Sequence, residues 1–188
     1  MRRLLKILLF TAAFIFSLYI FLPYREIGKF AMSAARSQLE RMGMRVSYSD
    51  VSGVDGGFSV HNLRLTGMTD ISFGSLTIKP EFAASILSLS PVCNISFSTG
   101  SVRLGQVMSF GDGGFLLTYS KPEILLENLR TNGDFSLNGY MTIDTASMKI
   151  GHADARLEVP ELFAHNMDML KNFLPLVNEG GKWYLRRR

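Results

Sequence analysis

The first apolar stretch of the chain is long enough to cross a membrane. It runs from Leu4 to Pro23, and at about 1.5 Å of helix rise per residue this length spans a hydrocarbon core of about 30 Å. The run ends in the residues FLPYR, without the small-x-small site at which a secretory leader is cut. The sequence therefore predicts an uncleaved transmembrane signal anchor over residues 1–23, with a cleaved leader as the alternative.

The basic residues at the start of this stretch predict its orientation. Arg2, Arg3 and Lys6 favour a cytoplasmic N-terminus, because basic flanks of a signal anchor stay inside. We expect a single-pass protein of a bacterial inner membrane, with its main domain in the periplasm. The side chains predicted to meet lipid are Leu4, Ile7, Leu8, Leu9, Phe10, Phe14, Ile15, Phe16, Leu18, Ile20 and Phe21.

After the anchor, apolar residues recur with roughly the 3.6-residue period of a helix. Gly43 follows the last of them and is a natural helix stop. We predict an amphipathic stalk helix over residues 24–43, which either packs on the first strands or lies on the membrane surface. The apolar positions are Ile27, Ala31, Ala34, Leu39 and Met42.

From residue 44 to residue 188 the period changes to two, which indicates strands with one apolar and one polar face. The clearest segment is DFSLNGYMTID, residues 134–144. Glycine-rich clusters at 53–57, 111–114 and 132–133 predict hairpin turns, and changes of phase near Asn62 and Gly74 predict bulges. The fold class expected is mainly β (α+β): a curved antiparallel meander with short lid helices at 81–89 and 160–174.

The apolar positions of these strands and of the second lid form either a filled core or an apolar groove. Size favours the core, because a domain of about 145 residues uses most of its apolar face to be stable. The residues assigned to this core or groove are Ile95, Phe97, Phe135, Leu137, Met141, Ile143, Leu170 and Phe173.

The charge balance excludes nucleic acid as a partner. Of 20 Lys and Arg residues, three lie at the start of the anchor and three form the C-terminal triplet 186–188, which leaves 14 against 16 Asp and Glu. Such a body has no basic face for a phosphate backbone. The single cysteine, Cys93, cannot form an internal disulfide and lies on the apolar phase of its strand, so we expect a buried side chain rather than a reactive thiol.

Candidate chemistry is sparse. His61, His152 and His165 stand alone, without the second ligand that a zinc site needs. Asp112 lies in a glycine cluster that we assign to a turn rather than to an ion site. Nucleophile and phosphate-loop motifs are missing as well. We expect no enzymatic activity, no metal and no cofactor.

Segments at both ends of the chain carry a family resemblance. FLPYRE, SAARSQLERMGMRVSYSDV and GGFSVHNLRLTG resemble the start of the type II secretion system protein N family and of the wider AsmA-like group. The segment ELFAHNMDMLKNFLPLVNEGGKWYLR is similar to the closing helix and strand of the same family. The resemblance supplies no catalytic residue.

Two functions follow from the resemblance. The first is a non-enzymatic accessory of a type II secretion assembly, which meets membrane lipids through its anchor and other inner-membrane secretion proteins through strand edges or the polar sheet face. The second is an AsmA-like lipid-binding or lipid-transfer module, whose apolar groove shields acyl chains. The oligomeric state and strand order stay open.

Overall fold

The structure, a computed structural model, describes most of the chain beyond the first apolar stretch. The described residues are 10, 13–14, 17, 21–67, 70–104, 106–147, 149–160, 167, 171, 175–180 and 182–187. Most of the predicted anchor, together with Leu170 and Phe173, therefore lies outside them. Among the described residues, no helix is long and apolar enough to cross a membrane. Phe10, Phe14 and Phe21 are described, and their side chains are 57 to 80% exposed.

Two described helices accompany the sheet. Helix α1 (Tyr24–Arg41) lies within the predicted stalk segment, and helix α2 (Phe82–Ser88) lies within the first predicted lid. Helix α1 ends where the sequence places a stop, because Gly43 takes a left-handed φ of 80° and its amide donates to the Glu40 carbonyl at 3.1 Å;.

In the part of the chain that the structure describes, eleven strands form one open antiparallel sheet, which confirms the predicted mainly β class. Strands β1 and β2 both pair with β3. From β3 to β9, each strand pairs with the next strand along the chain. Strand β9 then pairs with β11, and β10 forms the last edge beyond β11. The strands are β1 (Arg45–Ser47), β2 (Asp50–Val54), β3 (Gly57–Thr66), β4 (Asp70–Pro80), β5 (Val92–Leu104), β6 (Gln106–Ser120), β7 (Glu123–Gly133), β8 (Ser136–Asp144), β9 (Ile150–Glu158), β10 (Leu176–Glu179) and β11 (Lys182–Arg187).

The predicted turn at residues 111–114 is wrong, because these residues lie inside strand β6. The glycines there permit close approach between strands rather than a reversal of the chain. A Cβ on Gly113 would lie 2.4 Å from the Phe97 ring and 2.5 Å from the Arg130 carbonyl oxygen. A side chain would not fit without displacing β5 or β7.

The predicted change of phase near Asn62 is present, but it is not a bulge. Val60 and Leu63 are both buried although they are three positions apart, and Asn62 between them takes a φ of 52°. Strand β4 changes phase opposite Asn62. The pairs on either side, His61–Ser75 and Leu63–Phe73, therefore follow the same register, without an extra residue on either strand. Register shifts occur instead between β6 and β7, β7 and β8, and β8 and β9.

The faces of strand β8 agree with the predicted alternation, with one exception. Leu137 and Met141 pair with Leu157 and Ala153 on the apolar face. Thr142 was expected on the polar, solvated face, yet its side chain is only 8% exposed. Strand β9 bulges over it, and the His152 amide donates to Thr142 Oγ1 at 2.8 Å.

Two hydrophobic clusters cover the two ends of the apolar sheet face. At the β1–β3 end, Met32 of helix α1 packs among strand residues. At the β9–β11 end, Met167 packs among residues that include Trp183 and Leu185. Helix α2 has no buried residue, so its predicted role as a lid is wrong.

Helix α1 packs closely on the sheet at Gly28. A Cβ at this position would lie 2.6 Å from Phe58 Cγ and 2.8 Å from Val51 Cγ1. We predict that Gly28→Val lowers the free energy of unfolding by about 1 to 3 kcal/mol through overpacking, although valine is the better helix former. Urea titration of the full chain measures this loss.

Ala34→Val is the matched control, because Ala34 is an exposed position of the same helix. This change should cost only about 0.5 kcal/mol of helix propensity. Equal stability of the two variants would contradict the close packing of α1.

Candidate functional site

Hydroxyl side chains line the polar face of strands β3 to β5. Because side chains alternate across a strand, residues in register share a face, and the register brings Ser59, Thr77 and Ser96 side by side. The hydroxyls of Ser59 and Thr77 are hydrogen-bonded at 3.0 Å. Two further pairs, Ser75–Ser98 at 2.7 Å and Ser72–Ser101 at 2.9 Å, repeat this arrangement between β4 and β5.

Each paired hydroxyl keeps unused hydrogen-bonding capacity. A serine or threonine hydroxyl offers one donor and two acceptor positions, and the cross-strand bond uses only part of them. The face is therefore held in place by its own hydrogen bonds. Ser59 is buried at 5% exposure, and the half-buried hydroxyls of β4 and β5 can still bind polar groups from outside.

Arg130 stands at the junction of two depressions on this face. The first is a cavity of about 640 Å³ that also includes Ser75, Ser98 and Asp112 in its lining. The second is a cavity of about 450 Å³ that includes Asn128 and Asn138. Ser96, Gly113 and Arg130 line both cavities. Asp112, assigned to a turn by the sequence, thus lies in a strand beside this groove.

The space around Arg130 follows from the residues opposite it. Arg130 pairs with Gly114 on one side and with Asn138 on the other. Gly114 carries no side chain, and a Cβ there would lie 2.6 Å from the Ile95 carbonyl oxygen, so strands β5 and β6 approach each other closely beside Arg130. The Arg130 side chain is exposed, and no described residue forms an ion pair or hydrogen bond with its guanidinium.

The chemistry that this groove offers is recognition of an anion. A guanidinium binds a carboxylate or phosphate through two parallel hydrogen bonds, and the hydroxyls beside it can complete the contact. The described residues include no group of side chains that could hold a metal ion. His61 is bonded to Ser52 at 2.9 Å, away from Arg130.

The residues that the sequence assigned to a core or groove, as far as the structure describes them, lie on the opposite face. Ile95 is buried at 8% exposure, and Leu137 and Met141 pack against the cluster around Met167. Phe97, Phe135 and Ile143 are half-buried. The sequence pattern therefore indicates the apolar face but not Arg130, because the cavities beside Arg130 are lined by residues of other strands, such as Ser96 and Gly113.

Four phenylalanine rings occupy the middle of the apolar face. Phe73, Phe97 and Phe110 contact one another edge to face at centroid distances of 5.5 Å, and Phe135 joins Phe110 at 5.7 Å. This phenylalanine cluster lies between the two ends that α1 and Met167 cover. Within the described part of the chain, no helix covers it.

The first edge of the sheet is protected by helix α1. Arg25 Nε donates to the Val51 carbonyl oxygen at 3.2 Å, and its guanidinium lies 3.7 Å from Asp50 Oδ1. This contact occupies an acceptor of β2 that an added strand would need. The opposite edge is β10, which is four residues long.

Burial raises the pKa of the Cys93 thiol, and the nearby Glu81 carboxylate raises it further. Cys93 lies on the apolar face between Pro80 and Leu117. Because the thiolate is the reactive form, we predict that iodoacetamide alkylates Cys93 of the folded chain at pH 8 more slowly than Cys93 of the chain in guanidinium. Equal rates would show that the thiol is accessible and contradict this environment.

Comparison with known families assigns the chain to a family. The family described as type II secretion system protein GspN-like, Synergistales, matches residues 1–187. No curated protein and no solved structure matches the chain.

Proposed function

The chain belongs to the GspN-like family of type II secretion system proteins, and from this premise we propose that it is a non-enzymatic accessory subunit of the secretion assembly. Residues 1–23 anchor it in the inner membrane, with the N-terminus in the cytoplasm. The sheet lies in the periplasm, where its hydroxyl face binds an acidic segment of another inner-membrane secretion protein.

The observation that carries this proposal is the unpaired guanidinium of Arg130 in the hydroxyl-lined groove. The Arg130 guanidinium lies between two cavities of about 640 and 450 Å³ and has no ion-pair partner among the described residues. It is therefore available to bind a carboxylate of another protein. Complementary charge selects the partner and sets its register more than it adds affinity.

Protection of the first edge favours this mode over addition of a strand. The Arg25 contact with Val51 and the packing of α1 on β2 and β3 stand in the way of a new strand at β2. The opposite edge offers only the four residues of β10. The broad polar face is the larger surface for a partner.

The charge reversal Arg130→Glu tests the proposed contact. Like charges that meet at an interface cost several kcal/mol, so crosslinking to the secretion partner should fall by about tenfold or more. A photoreactive residue at Ser98, inside the groove, captures the partner in living cells, and export of a folded substrate is measured in parallel.

Arg103→Glu is the matched control. Arg103 lies near the β5–β6 connection, and its contact with Asp70 is a long, exposed one at 4.0 Å, so its reversal should leave capture and export unchanged. An equal loss of crosslinking in both variants, or no loss in Arg130→Glu, would contradict binding of the partner at Arg130. Circular dichroism of both variants shows whether they fold.

A lipid-binding function is the second candidate, and the phenylalanine cluster favours it. Phe73, Phe97 and Phe135 are only half-buried although they lie at the centre of the apolar face. An acyl chain laid across them would remove apolar surface from water at about 0.8 kcal/mol per methylene.

Mass spectrometry of the purified full chain separates the two candidates. If the chain is an accessory subunit, we expect mass spectrometry to detect only lipid that surrounds the anchor and exchanges with detergent. Stoichiometric phospholipid that resists detergent exchange, and that is lost in Phe97→Asp, would favour lipid binding instead.

A further inference from the structure

Helix α2 presents apolar side chains to solvent. Ile86, Leu87 and Leu89 are 72, 87 and 91% exposed, and Phe82 is 46% exposed. Residues 82–90 contain no charged side chain. An exposed apolar patch of this kind marks a contact with another apolar phase.

The polar groups of this segment are satisfied within the segment and its flanks. Ser85 Oγ donates to the Glu81 carbonyl oxygen at 2.7 Å, and Ser88 Oγ donates to the Ala84 carbonyl oxygen at 2.8 Å. The Val92 amide in turn donates to Ser85 Oγ at 2.9 Å. Entry into an apolar phase therefore leaves few hydrogen bonds unmade, which is the condition for backbone near lipid.

Leu89, the residue after α2, is held in a left-handed conformation. Its φ is 53°, a region that large side chains seldom adopt and that is strained. This backbone conformation ends the helix while the Leu89 side chain remains 91% exposed. Residues in such conformations cluster where a contact with another molecule is made.

Helix α2 lies at the end of the sheet where the chain enters α1. Ile78 near the end of β4 pairs with Phe58, which pairs with Gly53, and a Cβ on Gly53 would lie 3.4 Å from the Arg25 amide nitrogen. Two strand spacings of about 4.8 Å place the end of β4 roughly 10 Å from Gly53, which lies against the start of α1. Residues 1–23 precede α1 and therefore join the domain at this end.

We propose that α2 is a second membrane contact: Ile86, Leu87 and Leu89 enter the interfacial layer of the bilayer that residues 1–23 cross. The proposal rests on the anchor of the proposed function. The bilayer is the occupant because the nearest apolar phase to α2 is the one that the anchor enters. Together, the anchor and α2 hold this end of the sheet against the membrane and the β5–β6 connection away from it.

Charges at this end are mixed, so the contact is apolar rather than electrostatic. Lys79 and Glu81 flank α2. Lys121 lies in the neighbouring β6–β7 connection, and Glu123 begins β7. Membrane contact should therefore be insensitive to anionic lipid and to salt.

A fluorescent probe on the full chain in vesicles tests the proposal. In a Cys93→Ala background, Leu87→Cys carries an environment-sensitive label, and Val107→Cys is the matched control. Val107 is also exposed, at 51%, but it lies at the β5–β6 connection, the opposite end of the sheet. Vesicles of phosphatidylcholine, with and without phosphatidylglycerol, carry nitroxide-labelled lipid.

The expected result is quenching of the Leu87 label by lipid nitroxide and its protection from aqueous iodide, in both lipid mixtures, with the reverse at Val107. Adding Ile86→Glu should abolish lipid quenching at position 87. If the chain sediments with vesicles but iodide quenches both labels alike, the proposal is overturned and α2 is left as a surface for a protein. If the chain does not sediment with vesicles, residues 1–23 do not anchor it, and this result contradicts the proposed function as well.

Discussion

The contact of helix α1 with the sheet at Gly28 determines how the rest of this protein is arranged. It joins the first apolar stretch to a fixed end of the sheet, since Gly28 seats the helix on Val51 and Phe58. The same contact brings Arg25 onto the β2 edge. One helix thus fixes where the first apolar stretch joins the sheet and occupies an acceptor of the β2 edge.

The two sheet faces differ because the strand register keeps them separate. Serine and threonine hydroxyls gather on one face and phenylalanine rings on the other, and the change of phase at Asn62 is matched on β4, so the two sets are not mixed. This separation gives the accessory function a polar surface with a free guanidinium at Arg130. It also leaves the phenylalanine cluster as a distinct apolar surface with a different candidate ligand.

The spacing of apolar residues along the chain predicted those features that depend on neighbouring residues in the sequence. The alternation from Ser136 to Asp144 placed the faces of β8, and the helical period placed α1. Strands β2 and β10 carry little local signal, because each is short and has few apolar residues. The turn assigned to residues 111–114 was wrong because glycine serves both turns and close strand approach. Arg130 could not be identified because the cavities beside it are lined by residues of other strands, such as Ser96 and Gly113.

The proposed function requires that the chain keeps residues 1–23 and that these residues hold it in the membrane. The most direct test is the intact mass of the protein from membranes washed with alkaline carbonate, which strips off peripheral proteins. We predict that the washed membranes retain a chain with residues 1–23 still attached. A chain that begins after Tyr24 and appears in the wash would contradict the account.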